Sequence, residues 1–350
     1  MTTACGLSLM VLSYLFIKHV GGNSLLPYEP RRRVPWNFGV VLLAMGMPLL
    51  GIAVFFVGSK EPALEKVESE TLLITGWGNF SFMLLFVLGV TVWLATFFRA
   101  DTRDVGWPTC WQQFTKDVGI GAFAAVAALL PIYVIQLTLV YALQSTTPHP
   151  LVKQLQENNS PAMLLLGFAM AVIAAPLFEE FTFRGLLQGW LERREDEVLA
   201  FAATERQPPC VTEGIEIDGE ENGDGDGDGD DIRRGVARRL LDAPPEFNEA
   251  TSLRLEPEPL TIETMPSSTS RPTHGWIPDL PHGWTPILIS GFVFGLAHIG
   301  HGVAPVSLVL FGIVLGYLYQ RTHRLVPSIA AHMLFNAYSM VLLWLQLQPT

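Results

Sequence analysis

The stretch that decides the fold is 161-PAMLLLGFAMAVIAAPLFEEFTFRGLLQGWL-191, an apolar run interrupted by Glu179, Glu180 and Arg184. It is longer than the roughly 20 residues that a helix needs to cross the hydrocarbon core, so we expect one tilted transmembrane helix with a kink at Pro176. At 1.5 Å per residue the two glutamates lie roughly 15–20 Å from the charged end of this helix. Charge at such depth is costly and is normally retained for function.

The composition places the whole chain in a membrane. Of its 350 residues 49% are hydrophobic and 16% are charged, and the mean hydropathy is +0.34, values that do not suit an ordinary soluble domain. The formal net charge of −11 is concentrated in the segment Val211–Asp231, which holds ten acidic residues and no basic one. No basic and aromatic surface for nucleic acid is present in the sequence, so we expect no nucleic-acid partner.

Further apolar runs predict an all-α, polytopic bundle of about eight transmembrane helices. Residues 1–145 would form N-terminal transmembrane helices, and 146–191 with 285–350 would form the core around the charged residues. Residues 192–284 change to acidic, Pro-rich sequence, for which we expect a long disordered insertion. The other runs are Cys5–Ile17, Phe38–Val57, Phe80–Phe98, Val118–Leu143, Pro286–Gly300, Val303–Tyr319 and Leu325–Leu345.

Basic residues set the expected orientation. Alternate loops are rich in arginine, and with eight spans all of them fall on one side of the bilayer, which the positive-inside rule makes cytoplasmic. We therefore expect an integral protein of the plasma (inner) membrane, with the insertion in the cytoplasm and both termini outside. The arginines that carry this expectation are Arg31, Arg32, Arg33, Arg99, Arg103, Arg193, Arg194, Arg321 and Arg324.

Residues four apart on a helix share a face, which predicts how the buried charges are used. Glu180 and Arg184 can pair with each other, and Glu179 is left as the better candidate for a general base. Two later helices carry matching pairs at similar depth, and all these side chains could converge on one hydrated cavity. These pairs are Phe294 with His298 and His332 with Asn336.

Such a cavity has the groups needed for hydrolysis. A carboxylate and an imidazole can hold and deprotonate water, and a second imidazole with an amide can donate hydrogen bonds to the oxyanion of a tetrahedral intermediate. Each motif alone is more often an ordinary helix-end charge pair or a packing histidine. It is their joint occurrence at one depth that favours an enzyme.

The three motifs, E-E-x-x-x-R, F-x-x-x-H and H-x-x-x-N in this order on hydrophobic segments, resemble those of the CAAX-protease and bacteriocin-processing family of intramembrane endopeptidases. This family is also called CPBP or ABI. The resemblance implies a protease that acts on a membrane-associated or lipidated protein or peptide in the bilayer. It implies catalytic roles for Glu179, His298, His332 and Asn336, and supporting roles for Glu180, Arg184 and Phe294.

No cofactor is expected for this chemistry. Members of the family were long labelled metalloproteases, and a divalent metal such as zinc at Glu179, His298 and His332 is the alternative. We favour a metal-free mechanism because Asn336 is a poor zinc ligand and a good hydrogen-bond donor.

Two other functions remain open on the sequence alone. Intramembrane Glu and His also form relays in proton- or ion-coupled transporters, which would predict an internal repeat that the sequence does not show. A non-catalytic membrane adaptor would use the acidic insertion for docking, and deletion of Thr204–Thr273 would abolish its effect while sparing a peptidase.

Overall fold

The computed structural model describes residues 2–30, 33–46, 69–144, 155, 160–205, 281–300 and 302–347. Every regular element among these residues is helical, which confirms the predicted polytopic helical bundle. Residues 38–46 are helical as well, and most of the predicted second span lies outside the described residues. The labelled helices are α1 Thr2–Val20, α2 Ser69–Phe97, α3 Thr102–Val105, α4 Trp111–Ala142, α5 Pro161–Glu205, α6 Trp284–Leu296, α7 Ala304–Thr322 and α8 Leu325–Leu347.

Six helices in the described part of the chain are long and apolar enough to cross a membrane, and α6 is a shorter apolar helix. Many of their large apolar side chains face outward, such as Phe97, which is 72% exposed, and Met10, which is 70% exposed. Outward apolar side chains suit contact with lipid tails, whereas a water-soluble bundle would present polar ones. The fold is therefore that of an integral membrane protein.

Helix α5 is one continuous element that contains two π-helical segments. Wider π-helical turns occupy Ala169–Ala174 and Phe181–Gln188, and α-helical segments surround them. The first π turn lies directly before Pro176, which has no N–H to donate to the preceding turn. Where the sequence predicted a kink at Pro176, the structure has a π-helical segment just before the proline. Such segments occur often at functional sites.

The predicted end of this helix near Leu191 is wrong. The last α-helical segment of α5 spans Gly189–Glu205, so residues 192–205 are helical where we expected the disordered insertion to begin. The charged sequence favours this continuation because Arg193 pairs with Glu197 one turn later at 2.7 Å. Residues 206–280, most of the predicted insertion, lie outside the described residues.

Helices α6 and α7 pack at very short distance through glycine. A Cβ atom added at Gly291 would lie 3.0 Å from the backbone nitrogen of Ile313, and one at Gly312 would lie 2.9 Å from the Cα of Gly291. A Cβ atom at Gly295 would meet the side chain of Val309 at 2.3 Å. Glycines four residues apart permit this approach of two backbones, an arrangement common between transmembrane helices.

The arginine-rich segments meet at one end of the bundle. Arg324, just before α8, donates to both oxygens of Asp117 at 2.7 and 2.9 Å and also binds Glu29. The backbone N–H of Leu325 donates to the carbonyl of Gly106 at 2.8 Å. Glu29 and Asp117 raise the pKa of Arg324 further above its usual range despite the opposing effect of burial. These contacts join the first turns of α4, the segment that contains Glu29 and the loop before α8 at a shared charged end.

The chain divides into two units. The first comprises Met1–Thr204 with Pro272–Thr350 and contains the helical bundle. The second comprises Glu205–Arg271, of which the structure describes only the first residue.

Candidate active site

Two predicted residues, His298 and His332, approach Glu179 from different parts of the chain. His298 was expected within the sixth span, but α6 ends at Leu296 and His298 lies in the turn that follows. Oε1 of Glu179 lies 3.8 Å from Nε2 of His298, and its Oε2 lies 3.8 Å from Nε2 of His332 on α8. These distances are too long for direct hydrogen bonds, but they allow a water molecule to bridge a carboxylate oxygen and an imidazole nitrogen. The structure thus brings together an acid and two imidazoles, each ring facing a different oxygen of the carboxylate.

The other nitrogen of each imidazole fixes the orientation of its ring. Nδ1 of His298 lies 2.9 Å from the carbonyl oxygen of Phe294, and Nδ1 of His332 lies 2.9 Å from Oε1 of Glu180. A carbonyl oxygen and a carboxylate accept hydrogen bonds, so both Nδ1 atoms carry the proton and both Nε2 atoms face Glu179. This arrangement of an imidazole, held from behind by an acceptor, is typical of functional histidines.

Glu180 and Arg184 form the pair that their spacing predicts. Arg184 Nη1 lies 3.1 Å from Oε1 of Glu180, and both side chains are fully buried. The same carboxylate oxygen accepts from His332, a contact that sequence reasoning missed. Arg184 also donates to the carbonyl of Gly312 on α7 at 3.0 Å. Glu180 is therefore held by a cation on one side and orients an imidazole on the other.

Phe294 packs at the centre of this group. Its ring lies 5.0 Å from that of His298 and 5.6 Å from that of His332, measured between centroids. The guanidinium carbon of Arg184 lies 4.4 Å from the same ring centre, a cation–π contact. Phe294 is fully buried, so its ring packs against both histidines and Arg184 in the interior of the bundle.

Asn336 makes a contact that the sequence did not suggest. Its Nδ2 donates to the carbonyl oxygen of Ala171 on α5 at 2.7 Å. In the π turn the N–H of Ala175 donates to Met170, and Pro176 has no N–H. The Ala171 carbonyl has therefore lost both helical donors that could reach it, and Asn336 replaces them. The amide carries a second N–H for other use.

Exposure divides these residues into two groups. The side chains of Glu179 and His298 are 19% and 17% exposed, whereas that of His332 is 4% exposed and that of Glu180 is fully buried. A substrate can reach the first pair, and Glu180 cannot touch one. The division agrees with a reactive carboxylate at Glu179 and a structural one at Glu180.

The donor set at Glu179, His298 and His332 has the ligand types of a zinc site. Within the described ranges, no group of three or more His, Cys, Asp or Glu side chains is arranged to hold a metal ion. Tetrahedral ligands about 2 Å from zinc lie closer to each other than the 3.8 Å found here. Metal binding would require these side chains to move together.

A polar cavity of about 330 Å³ opens at the charged end of the bundle, away from Glu179. It is lined by residues of the loops that Arg324 joins, including Glu29, Arg103 and His323. A second cavity, about 240 Å³ and apolar, lies between α5 and α8 and is lined by Leu164, Phe168, Met340, Val341, Leu343 and Trp344. Neither lining includes the glutamate–histidine group.

Fold and site together define an integral membrane protein with a carboxylate–imidazole centre between its helices. A family model described as "Type II CAAX prenyl endopeptidase Rce1-like" matches residues 161–205 and 271–338, which contain all three motifs. These residues of the chain are thus similar to the Rce1-like family, and the resemblance inferred from the motifs is confirmed. No curated protein and no solved structure matches the chain significantly. A CAAX-protease-like intramembrane endopeptidase is the activity that this family supports.

Proposed function

We propose that this protein hydrolyses a peptide bond of a membrane-associated or lipidated protein, using Glu179 and His298 to activate water. One observation carries the proposal: two imidazole Nε2 atoms lie 3.8 Å from separate oxygens of a single, partly exposed carboxylate. Water can donate one hydrogen to Glu179 and the other to the Nε2 lone pair of His298. Its own lone pair is then left to attack a carbonyl carbon.

The attack places negative charge on the former carbonyl oxygen. His332 in its doubly protonated form can donate from Nε2 to this oxyanion, and the second N–H of Asn336 is the other proposed donor. The proton taken from water passes from Glu179 or His298 to the leaving nitrogen, so that the C–N bond breaks and an acid and an amine form. Glu180, Arg184 and Phe294 support the site by holding His332 and His298 in place.

No metal or other cofactor enters this mechanism. The proposed substrate reaches Glu179 and His298 from within the membrane region, since Glu179 lies on a helix long enough to cross it and His298 directly follows the apolar helix α6.

We also propose that the arginine-rich end of the bundle faces the cytoplasm of a plasma (inner) membrane and that both termini lie outside, as the positive-inside rule favours. Protection of terminal and insertion tags from added protease in sealed vesicles tests this orientation.

The decisive experiment uses the full chain purified in detergent with a quenched library of prenylated and unprenylated peptides. Cleavage by the wild type should be lost in Glu179→Ala, His298→Ala and His332→Ala, each of which must remain folded by thermal denaturation. Cleavage that persists in Glu179→Ala contradicts the proposed role of that residue. Absence of any cleavage by the wild type across the library contradicts the endopeptidase function.

A further inference from the structure

Helix α5 carries a line of buried polar side chains that extends beyond the motif. Glu180, Arg184, Gln188 and Glu192 follow each other at intervals of four residues, and none is more than 3% exposed. Glu180 and Arg184 have roles in the site described above. Gln188 and Glu192 have none, although polar groups buried between transmembrane helices are costly and are kept for a purpose.

Two donors of this line bind two carbonyls of α7 in matching register. Arg184 Nη2 donates to Gly312 at 3.0 Å, and Gln188 Nε2 donates to Gly316 at 2.8 Å. Donors and acceptors are each four residues apart, so the two bonds form a two-point clamp between the helices. A shift of either helix by one residue would rotate its partner groups by about 100° and break both bonds.

The clamp needs glycine opposite Gln188. A Cβ atom at Gly316 would lie 2.9 Å from Oε1 of Gln188, closer than such contacts occur. The surface of α7 thus has a notch at this position that admits the amide. Gln188 Nε2 also donates to Oε1 of Glu192 at 2.9 Å, which fixes the amide from the other side.

Three buried atoms of the line, including Oε2 of Glu180, have no hydrogen-bond partner among the described residues, and two of them are complementary. These two are Nε of Arg184 and Oε1 of Gln188. One is a donor and the other an acceptor, and residues four apart on a helix are neighbours. A single water molecule can accept from Arg184 and donate to Gln188, as buried waters do for otherwise unpaired polar groups.

We propose that Gln188 is a positioning residue for His332: through the clamp on α7 and one buried water shared with Arg184, it fixes Glu180, which holds the His332 imidazole. This inference rests on the proposed endopeptidase function. Gln188 is fully buried and cannot touch substrate. Its effect therefore acts on the orientation of a catalytic group and leaves substrate binding unchanged.

The test compares Gln188→Met with Gln136→Met. Methionine keeps the length of the side chain and removes both hydrogen-bonding groups. Gln136 on α4 provides a matched control because it also bonds to α7, at Ser307, without contacting Glu180. For Gln188→Met we expect kcat to fall about 10- to 100-fold, the range typical of outer hydrogen-bond partners, with KM within about twofold of wild type. The pH profile of kcat should also shift.

Gln136→Met should lower thermal stability without changing kcat or its pH profile. If Gln188→Met behaves in the same way, the positioning role is refuted. An experimental map that resolves ordered waters should show one peak between Arg184 Nε and Gln188 Oε1.

A spectroscopic measurement separates this inference from the proposed function. The ¹⁵N resonances of the His332 imidazole report the hydrogen bond from Nδ1 to Glu180 without requiring turnover. They should shift in Gln188→Met and stay in place in Gln136→Met. If wild type cleaves nothing but the shift occurs, the endopeptidase function fails and the positioning stands. If wild type cleaves and no shift occurs, the positioning fails alone.

Discussion

Nδ2 of Asn336 lies 2.7 Å from the carbonyl oxygen of Ala171, at the point where helix α5 cannot supply that oxygen with a donor of its own. The contact ties α8 to the π turn that precedes Pro176. It also holds the amide beside the helix that carries Glu179. Asn336 thus has a structural task in addition to its proposed role as a donor to the oxyanion.

Asn336→Leu should therefore lower both stability and rate. Removing the donor leaves a buried carbonyl unpaired, which costs about 1–3 kcal/mol. Losing one oxyanion donor costs roughly 10²–10³ in kcat. Thermal denaturation and peptide cleavage measure the two effects. Ser339→Ala, which removes a hydrogen bond between α8 and Tyr133 of α4, should lower stability alone. A stability loss for Asn336→Leu with normal kcat would restrict this residue to the structural task.

The two adjacent glutamates should respond in opposite ways to the same substitution. Glu179→Gln should lower kcat by about 10² or more, the contribution typical of a general base, and should leave the melting temperature near that of wild type. Glu180→Gln weakens a fully buried pair with Arg184, and disruption of such pairs costs about 3–5 kcal/mol. Parallel measurement of cleavage and melting temperature for both variants checks this. Equal loss of stability in both would contradict the division between reactive and structural carboxylates.

Cleavage should survive removal of divalent metals. The proposed mechanism uses only side chains, and the 3.8 Å separations around Glu179 exceed those of a tetrahedral zinc site. The measurement is the rate after dialysis against a strong chelator, with metal content determined on the same sample. A rate that vanishes and returns on addition of Zn²⁺ would favour the metal alternative at Glu179, His298 and His332.

His282, in the segment that leads into α6, should make stability depend on pH. Its Nε2 hydrogen bond to Asp196, with the nearby charge of Glu195, raises the pKa of His282 above its ordinary value, although burial opposes the rise. A raised folded-state pKa contributes stability that is fully present below the unfolded value of about 6.5 and is lost as pH rises through the folded value. Because the pKa of His282 is raised in the folded protein, its contribution to stability should decrease as the pH rises above about 6.5.

The melting temperature of wild type minus that of His282→Gln should accordingly be largest near pH 6 and should decrease towards alkaline pH. Melting curves collected from about pH 5.5 to 9 measure this difference. His19→Gln, a change at an exposed histidine on α1, serves as the reference for effects of removing a histidine. If the melting temperature of wild type minus that of His282→Gln increased with pH, the trend would be opposite to the one expected. The pair with Asp196 would then be excluded as its cause.

Spacing along the sequence predicted much of the fold and the meeting of Glu179 with two histidines. Residues four apart share a face on any helix, so the pairing of Glu180 with Arg184 and the common depth of His298 and His332 were readable in advance. The predicted number of spans stays a prediction, because the second apolar run lies largely outside the described residues. The roles of Glu179, His298, His332 and Asn336 stay predictions until variants are measured.

What could not be predicted depends on contacts between helices and on changes of helix type. The two π turns of α5 alter which carbonyls are paired, and so the bond from Asn336 to Ala171 has no signal in the spacing. The bond from His332 to Glu180 depends on how α8 rotates against α5. The glycine pairs of α6 and α7, Gly291 with Gly295 and Gly312 with Gly316, are visible in the sequence, and such spacing is typical of the close packing that the structure contains.

The backbone N–H of Gly283 donates to Glu195 at 2.7 Å, and His282 binds Asp196 beside it. The two chain ends that flank residues 206–280 are therefore fastened to each other by side chains, independently of the covalent link. A gene divided within this interval should yield two polypeptides that reassemble when produced together. Glu179 would come from one polypeptide and the two histidines proposed as catalytic from the other, so peptide cleavage would require that the two polypeptides assemble.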